Sequence, residues 1–176
     1  MEWSLCSLLA RVAAHSMEPS SSYAVSLQRA APRTIAAVHA RLAPNRVPAE
    51  FKRYLNQVYA ARASGIQMDG QNVFIYRDAE DESGQVDVEF GVGITAPITP
   101  VGNVRPVELP VGEVATTTHR GAYTDLGAAH AAVVAWCRAH SRAFAGPRWE
   151  VYGHWVEGEL PRTDIYYLLR PAAETP

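Results

Sequence analysis

The sequence has 176 residues, of which 48% are hydrophobic and 19% are charged, proportions typical of a globular protein rather than a disordered chain. The formal net charge of −2 offers no basic surface to a nucleic-acid backbone, so we expect no direct nucleic-acid binding. No run of about 18 apolar residues is present, and we therefore expect no membrane span. The two cysteines, Cys6 and Cys137, are too few for a disulfide framework and indicate a reducing, cytoplasmic compartment.

Residues 1–22 are predicted to be an N-terminal tail outside the main fold. Their apolar stretch lacks a basic start, since Glu2 comes first, and Arg11 interrupts it, so a signal peptide is not indicated. Met17 begins a serine-rich segment and is an alternative start. The main domain is expected over residues 23–171, followed by a C-terminal tail at 172–176.

The first half of this domain predicts two strands, a helix and two further strands. Pro48 suits the first turn of a helix, and Phe51, Leu55 and Val58 follow at helical spacing until Gly65. Valine and phenylalanine alternate with polar residues after the acidic turn 78–84, which is typical of a half-buried strand. The predicted strands cover residues 23–29, 34–41, 73–76 and 86–92.

The second half repeats this order after a linker rich in proline and glycine at residues 97–103. A helix is predicted from residue 125 to residue 140, with Thr124 or Asp125 as its N-cap. The strands flanking it are predicted over residues 105–109, 114–120, 149–155 and 164–170.

Four landmarks recur at nearly constant separation, which indicates an internal duplication. Pro32 and Pro110 lie 78 positions apart, His39 and His119 lie 80 apart, Phe74 and Tyr152 lie 78 apart, and Asp87 and Asp164 lie 77 apart. We therefore predict an α+β fold built from two βαββ repeats, residues 23–96 and 104–171. They would form a pseudo-twofold antiparallel sheet with the helices on one face and a ligand groove on the other. On the 78-residue offset, Asn72 is the counterpart of Glu150.

Alternation along the strands predicts which side chains line the groove. Glu150, Tyr152 and His154 share one face of their strand, and Phe74 and Tyr76 are matched to them. With Val88, Phe90 and Ile165 assigned to the helix side, Glu89 and Tyr166 fall on the groove side. A carboxylate among aromatic rings suits a lipophilic cation. The alternative is that Glu150 is exposed to solvent and the rings only pack.

Several stretches of the chain resemble the GyrI-like effector-binding family. They are VELPVGEVA from residue 107, THRGAYTDL from residue 118, WEVY from residue 149 and RTDIYYLLRP from residue 162. The resemblance covers about residues 23–171 and implies the duplicated fold inferred above. It carries the family's acidic ligand-binding residue onto Glu150 and a Gly-x-Tyr motif onto Gly121 and Tyr123. The first-half aromatic residues Tyr54, Phe74 and Tyr76 carry over more weakly.

Three functions remain open at this point. The first is binding of a lipophilic cation, as a sensor or a sequestering protein. The second, implied by standalone members of the family, is hydrolysis of strained, cyclopropane-type natural products with Glu150 activating water. The third is a gyrase-inhibitor-like interaction module. No helix-turn-helix fits into 22 residues, so a regulatory role would require a separate regulator or gyrase as partner.

No cofactor or metal is expected. The histidines, which include the equivalent pair His39 and His119, lack the spacing of a zinc site. Haem is a remote alternative, since the same duplicated fold also occurs in haem-binding proteins. Gly91-Val-Gly93 lacks the third glycine and the helix of a dinucleotide site.

Overall fold

The computed structural model describes residues 23–77 and 82–172, so the predicted N-terminal tail lies outside the described residues. The described chain forms two strands, a helix and two strands, and then repeats that order, which confirms the duplication. The elements are β1 (Ser26–Ala30), β2 (Thr34–Leu42), α1 (Val47–Ala60), β3 (Met68–Tyr76), β4 (Val86–Ile94), β5 (Arg105–Glu108), β6 (Gly112–Arg120), α2 (Leu126–Ala139), β7 (Phe144–Tyr152) and β8 (Arg162–Leu169).

Local sequence explains both helices. Pro48 is the second residue of α1, where a missing N–H costs no helical hydrogen bond. A short 3₁₀ turn follows α1, and Gly65 ends it in the left-handed conformation at φ 88°. Buried residues of α2 recur every fourth position, at Ala129, Val133 and Cys137, so one stripe of this helix faces the sheet. Among the helices of the described residues, none is long and apolar enough to cross a membrane.

All eight strands join one antiparallel sheet in the order β1-β6-β8-β7-β3-β4-β2-β5. This order is symmetric when each strand of the first half is exchanged for its counterpart in the second. The first strand of each half pairs with the other half: β1 with β6, and β5 with β2. The predicted pseudo-twofold sheet is therefore present, with the outer strands exchanged between the repeats.

The pseudo-twofold axis passes between Phe74 and Glu150. Each is the seventh residue of its strand, β3 or β7, and the two are paired across the sheet. Phe74, rather than Asn72, is therefore the counterpart of Glu150, so that expectation is wrong. The reason is that the connection after α1, residues 61–67, is three residues longer than the connection after α2, residues 140–143.

Both helices pack on the same face of the sheet, here called the helix face. Leu55 and Val58 of α1 contact Phe90, Phe74 and neighbouring side chains. On α2, Val133 and Cys137 contact Ala115 of β6 and Leu169 of β8.

The opposite, inner face is closed by the protein's own side chains. Its cluster joins central residues, Ile75 and Trp149, to residues near both ends of the sheet, Val107 and Val114. These residues are at most 8% exposed although neither helix covers them, so the sheet curves around them, as expected for many twisted strands. This face is therefore filled by side chains, where the sequence predicted an open ligand groove.

Candidate functional site

A cavity of about 630 Å³ lies on the helix face, between the start of each helix and the central strands β3 and β7. Six of the residues predicted for the site line it: Glu150, Tyr152, Tyr123, His154, Phe74 and Tyr76. Residues near the starts of the two helices, such as Phe51 and Leu126, close its sides. A volume of this size is in the range of small-molecule sites.

Glu150 is the carboxylate of this cavity, and it is only 6% exposed. Its strand β7 lies between β3 and β8, where Glu150 is paired with Phe74 and with Ile165. One carboxylate oxygen, Oε1, lies 2.9 Å from His130 Nε2, and the other, Oε2, accepts a hydrogen bond of 2.5 Å from the Tyr152 hydroxyl. These bonds offset part of the cost of burying the charge.

The hydrogen bonds continue from His130 into the sheet. Its second ring nitrogen, Nδ1, lies 2.9 Å from the Tyr167 hydroxyl. When Nε2 carries the proton and donates to Glu150, Nδ1 is free to accept from Tyr167. Tyr152, Glu150, His130 and Tyr167 thus form one connected chain that links β7, α2 and β8.

The tyrosines around Glu150 are held in their neutral form. Burial, and then the charge of Glu150, raise the pKa of Tyr152 well above its usual range. The same two causes raise the pKa of Tyr76. The guanidinium of Arg148 lies over the Tyr76 ring at 4.5 Å from its centroid. Glu150 is therefore surrounded by neutral hydroxyl groups and aromatic rings.

Aromatic rings make a continuous wall beside the carboxylate. The ring centroids of Phe74 and Tyr152 are 4.8 Å apart, and those of Tyr123 and Tyr152 are 5.5 Å apart. Tyr123 is 54% exposed and Trp155 is 77% exposed, so both lie at the mouth of the cavity. Ring faces of this kind attract organic cations as well as apolar groups.

Three of the predicted site residues lie outside the cavity lining. Tyr54 stacks on Phe90 behind the wall, with ring centroids 4.9 Å apart. Tyr166 and Glu89 lie on the inner face, where Tyr166 stacks on Trp149. Glu89 Oε2 is buried without a hydrogen-bond partner among the described residues, and Arg77 Nε is 3.9 Å from its Oε1.

The strand register explains why Glu89 and Tyr166 were predicted on the side of the sheet that carries the cavity. Paired residues of neighbouring strands share a face, and Glu150 is paired with Ile165. Glu150 and Phe74 therefore lie on the helix face with Ile165 and Phe90, while Glu89 and Tyr166 point the other way. Alternation within one strand does not reveal that register.

The sequence interpretation missed His130, Tyr167, Phe51 and Trp155. One signal for His130 was present, because it follows Leu126 by four positions and precedes Val133 by three on the apolar stripe of α2. A polar side chain on such a stripe points at the sheet and needs a partner there. Within residues 23–77 and 82–172, no group of three histidine, cysteine or acidic side chains is placed to hold a metal ion.

Solved structures resemble this chain in fold. The EcmrR C-terminal domain superposes with a TM-score of 0.71 at 16% identity, covering 86% of this chain and 100% of that one. SAV2435 bound to tetraphenylphosphonium has a TM-score of 0.64 at 11% identity, with coverages of 86% and 95%. A hydrolase from Listeria innocua has a TM-score of 0.55 at 11% identity, with coverages of 83% and 91%.

At these identities the structural likeness establishes the fold alone. No curated protein matches the sequence. A family model does match, over residues 23–168, which is most of the domain predicted for residues 23–171. The protein therefore belongs to the family of the GyrI-like small molecule binding domain.

Proposed function

We propose that this protein binds a lipophilic organic cation in the cavity on the helix face, with Glu150 meeting the positive charge. The observation that carries the proposal is a carboxylate that is 6% exposed, lines the cavity and is bonded to Tyr152 and His130. A buried negative charge is costly, and a cationic ligand would compensate it. The tetraphenylphosphonium seen on SAV2435 is a ligand of this chemical class.

The shape of the cavity supports the same ligand class. Phe51, Phe74 and Tyr152 provide ring surfaces next to the carboxylate, so an apolar cation would contact rings and charge together. A ligand of this kind needs no hydrogen-bond donor, because Glu150 already accepts one from Tyr152. Sensing and sequestration would both begin with this binding step.

Titration with tetraphenylphosphonium, followed by tryptophan fluorescence and calorimetry, tests the proposal. We expect saturable binding that weakens by about tenfold or more in Glu150→Gln, equivalent to ~1.4 kcal/mol or more. Glu108→Gln is the matched control, because Glu108 is exposed and outside the cavity lining. Neutral triphenylphosphine oxide should bind wild type and Glu150→Gln equally. Equal binding of the cation to both proteins would refute the role of Glu150.

A second candidate function is hydrolysis of a strained three-membered ring conjugated to a carbonyl group. The hydrogen-bonded Glu150 suggests it, and the fold is similar to that of the Listeria innocua hydrolase. Glu150 would take a proton from water as the water oxygen bonds to a ring carbon. The ring C–C bond would break towards the carbonyl, whose oxygen then receives the proton.

Mass spectrometry separates the two candidates. Incubation with a cyclopropane-type electrophile would yield a product heavier by one water if the protein is a hydrolase, and Glu150→Gln would abolish it. Binding without any change in ligand mass would instead support the sensor or sequestering role.

A further inference from the structure

At two positions that are equivalent in the two halves, the second half has a polar residue and the first half has an apolar one. Phe51 and His130 are each the fifth residue of their helix, and Phe74 and Glu150 are each the seventh residue of their strand. In the first half, the rings of Phe51 and Phe74 pack with centroids 5.8 Å apart. In the second half, His130 Nε2 and Glu150 Oε1 are 2.9 Å apart.

This comparison argues against a purely structural role for His130. The first half joins helix to sheet at this place with two apolar rings, so the fold does not depend on a hydrogen-bonded ion there. A buried imidazole–carboxylate pair is also a poor source of stability compared with apolar packing. We therefore expect the pair of His130 and Glu150 to act in ligand binding rather than in folding.

We propose that His130 is the specificity-determining residue that sets the charge of the cavity. It positions the Glu150 carboxylate, and by taking up a proton it cancels the negative charge that a cationic ligand requires. This inference rests on the proposed function of cation binding. The protonated His130 and the cationic ligand would then compete for the negative charge of Glu150, and cation affinity would fall as the pH is lowered.

Other titratable or charged groups face this pair from the surrounding elements. They are Tyr152 and Arg148 from β7, Tyr76 from β3, Tyr167 from β8, and Cys137 further along α2. Burial raises the pKa of each of the three tyrosines and of Cys137 above its usual range, and arginine keeps its charge.

Two other histidines lie near the cavity. His119 of β6 is bonded to the Tyr23 hydroxyl and to the Ala122 carbonyl, and it does not line the cavity. His154 does line the cavity, at its exposed rim. A histidine changes charge between about pH 5 and 8, so His154 is the residue from which His130 must be distinguished.

The experiment measures tetraphenylphosphonium affinity between about pH 5.5 and 8 for wild type, His130→Gln and His154→Gln. Glutamine at position 130 can donate to Glu150 and accept from Tyr167 without titrating. We expect wild-type affinity to be about tenfold weaker at the low end of this range. We expect His130→Gln to be nearly independent of pH, and His154→Gln to keep the wild-type profile. His130→Phe, which copies the first half, should still unfold cooperatively, because two apolar rings join helix and sheet at this place in the first half.

The outcomes separate the inference from the function on which it rests. If Glu150→Gln binds the cation as tightly as wild type at pH 8, the proposed function fails. If Glu150→Gln loses binding but His130→Gln keeps the wild-type pH profile, cation binding stands and the role of His130 is refuted.

Discussion

The two oxygens of Glu150 are held from different directions, by His130 on α2 and by Tyr152 on β7. A carboxylate fixed in this way cannot rotate away from the cavity without leaving both partners unsatisfied in a buried place. The side chain is thus oriented before any ligand arrives, which lowers the cost of ordering it on binding.

The buried phenol of Tyr152 predicts a loss of stability at high pH. An unfolded tyrosine ionises near pH 10, whereas burial raises the pKa of Tyr152 in the folded protein. The unfolded chain therefore releases this proton first. The contribution of the neutral Tyr152 hydroxyl to the free energy of unfolding is complete below about pH 10. Above that pH it is lost by ~1.4 kcal/mol per pH unit. Tyr152→Phe should reduce this decline in the free energy of unfolding, measured in urea at pH 8 and about pH 10.5.

Tyr123→Phe is the control, because it removes an exposed phenol from the same cavity. An equally steep alkaline loss in wild type and Tyr152→Phe would contradict the assignment of a buried, neutral hydroxyl group to Tyr152.

The sequence predicted some residues of the cavity and missed others. Glu150 and Tyr152 were predicted to point to the same side because alternation along one strand is a local property, and both line the cavity. His130 was not identified, because its partner Glu150 is 20 positions away on another element. Only the packing of α2 on the sheet brings the two together, and a lone histidine on an apolar stripe does not specify that contact.

At the level of elements, periodicity located both helices closely. The second was predicted over residues 125–140 and covers Leu126–Ala139. The first was predicted from Pro48 to Gly65 and comprises α1 with a 3₁₀ turn before Gly65. The face of the sheet that carries the cavity was predicted wrongly, because it depends on the register between strands, which pairs Glu150 with Ile165.

Close packing within the curled sheet predicts that Gly91 of β4 tolerates no side chain. An added Cβ would lie 2.5 Å from Ile35 Cδ1 and 2.9 Å from the Ala36 carbonyl oxygen. Gly91→Ala should therefore lower the free energy of unfolding by about 1–3 kcal/mol, measured by urea denaturation. In Gly127→Ala, on α2, the added Cβ meets no atom within 4 Å. That variant should be neutral or gain up to about 1 kcal/mol. Equal stability of the two variants would contradict this account.

At the level of the whole molecule, the exchanged outer strands make the two repeats dependent on each other. β1 has its sheet partner β6 in the second half, and β5 has its partner β2 in the first. The central pair β3 and β7 also joins the halves. Neither repeat can therefore complete its sheet with its own strands.

We expect residues 23–96 and residues 104–171, prepared separately, to lack cooperative thermal unfolding by circular dichroism. Mixed in equal amounts, they should regain the native spectrum, because every missing strand partner is then present. A folded monomer of either fragment, identified by sedimentation, would show that the repeats are independent.

The position of the axis between Phe74 and Glu150 has a consequence for how such a protein can arise. In a dimer of two identical repeats, both positions would carry the same residue and would face each other across the central strands. Two glutamates there would repel each other, and one of them would have to bind a proton. A single buried negative charge beside the axis therefore requires two repeats that differ in sequence at this position. Joining the repeats in one chain ensures that the unlike copies pair with each other, so every molecule carries one glutamate and one phenylalanine at this place.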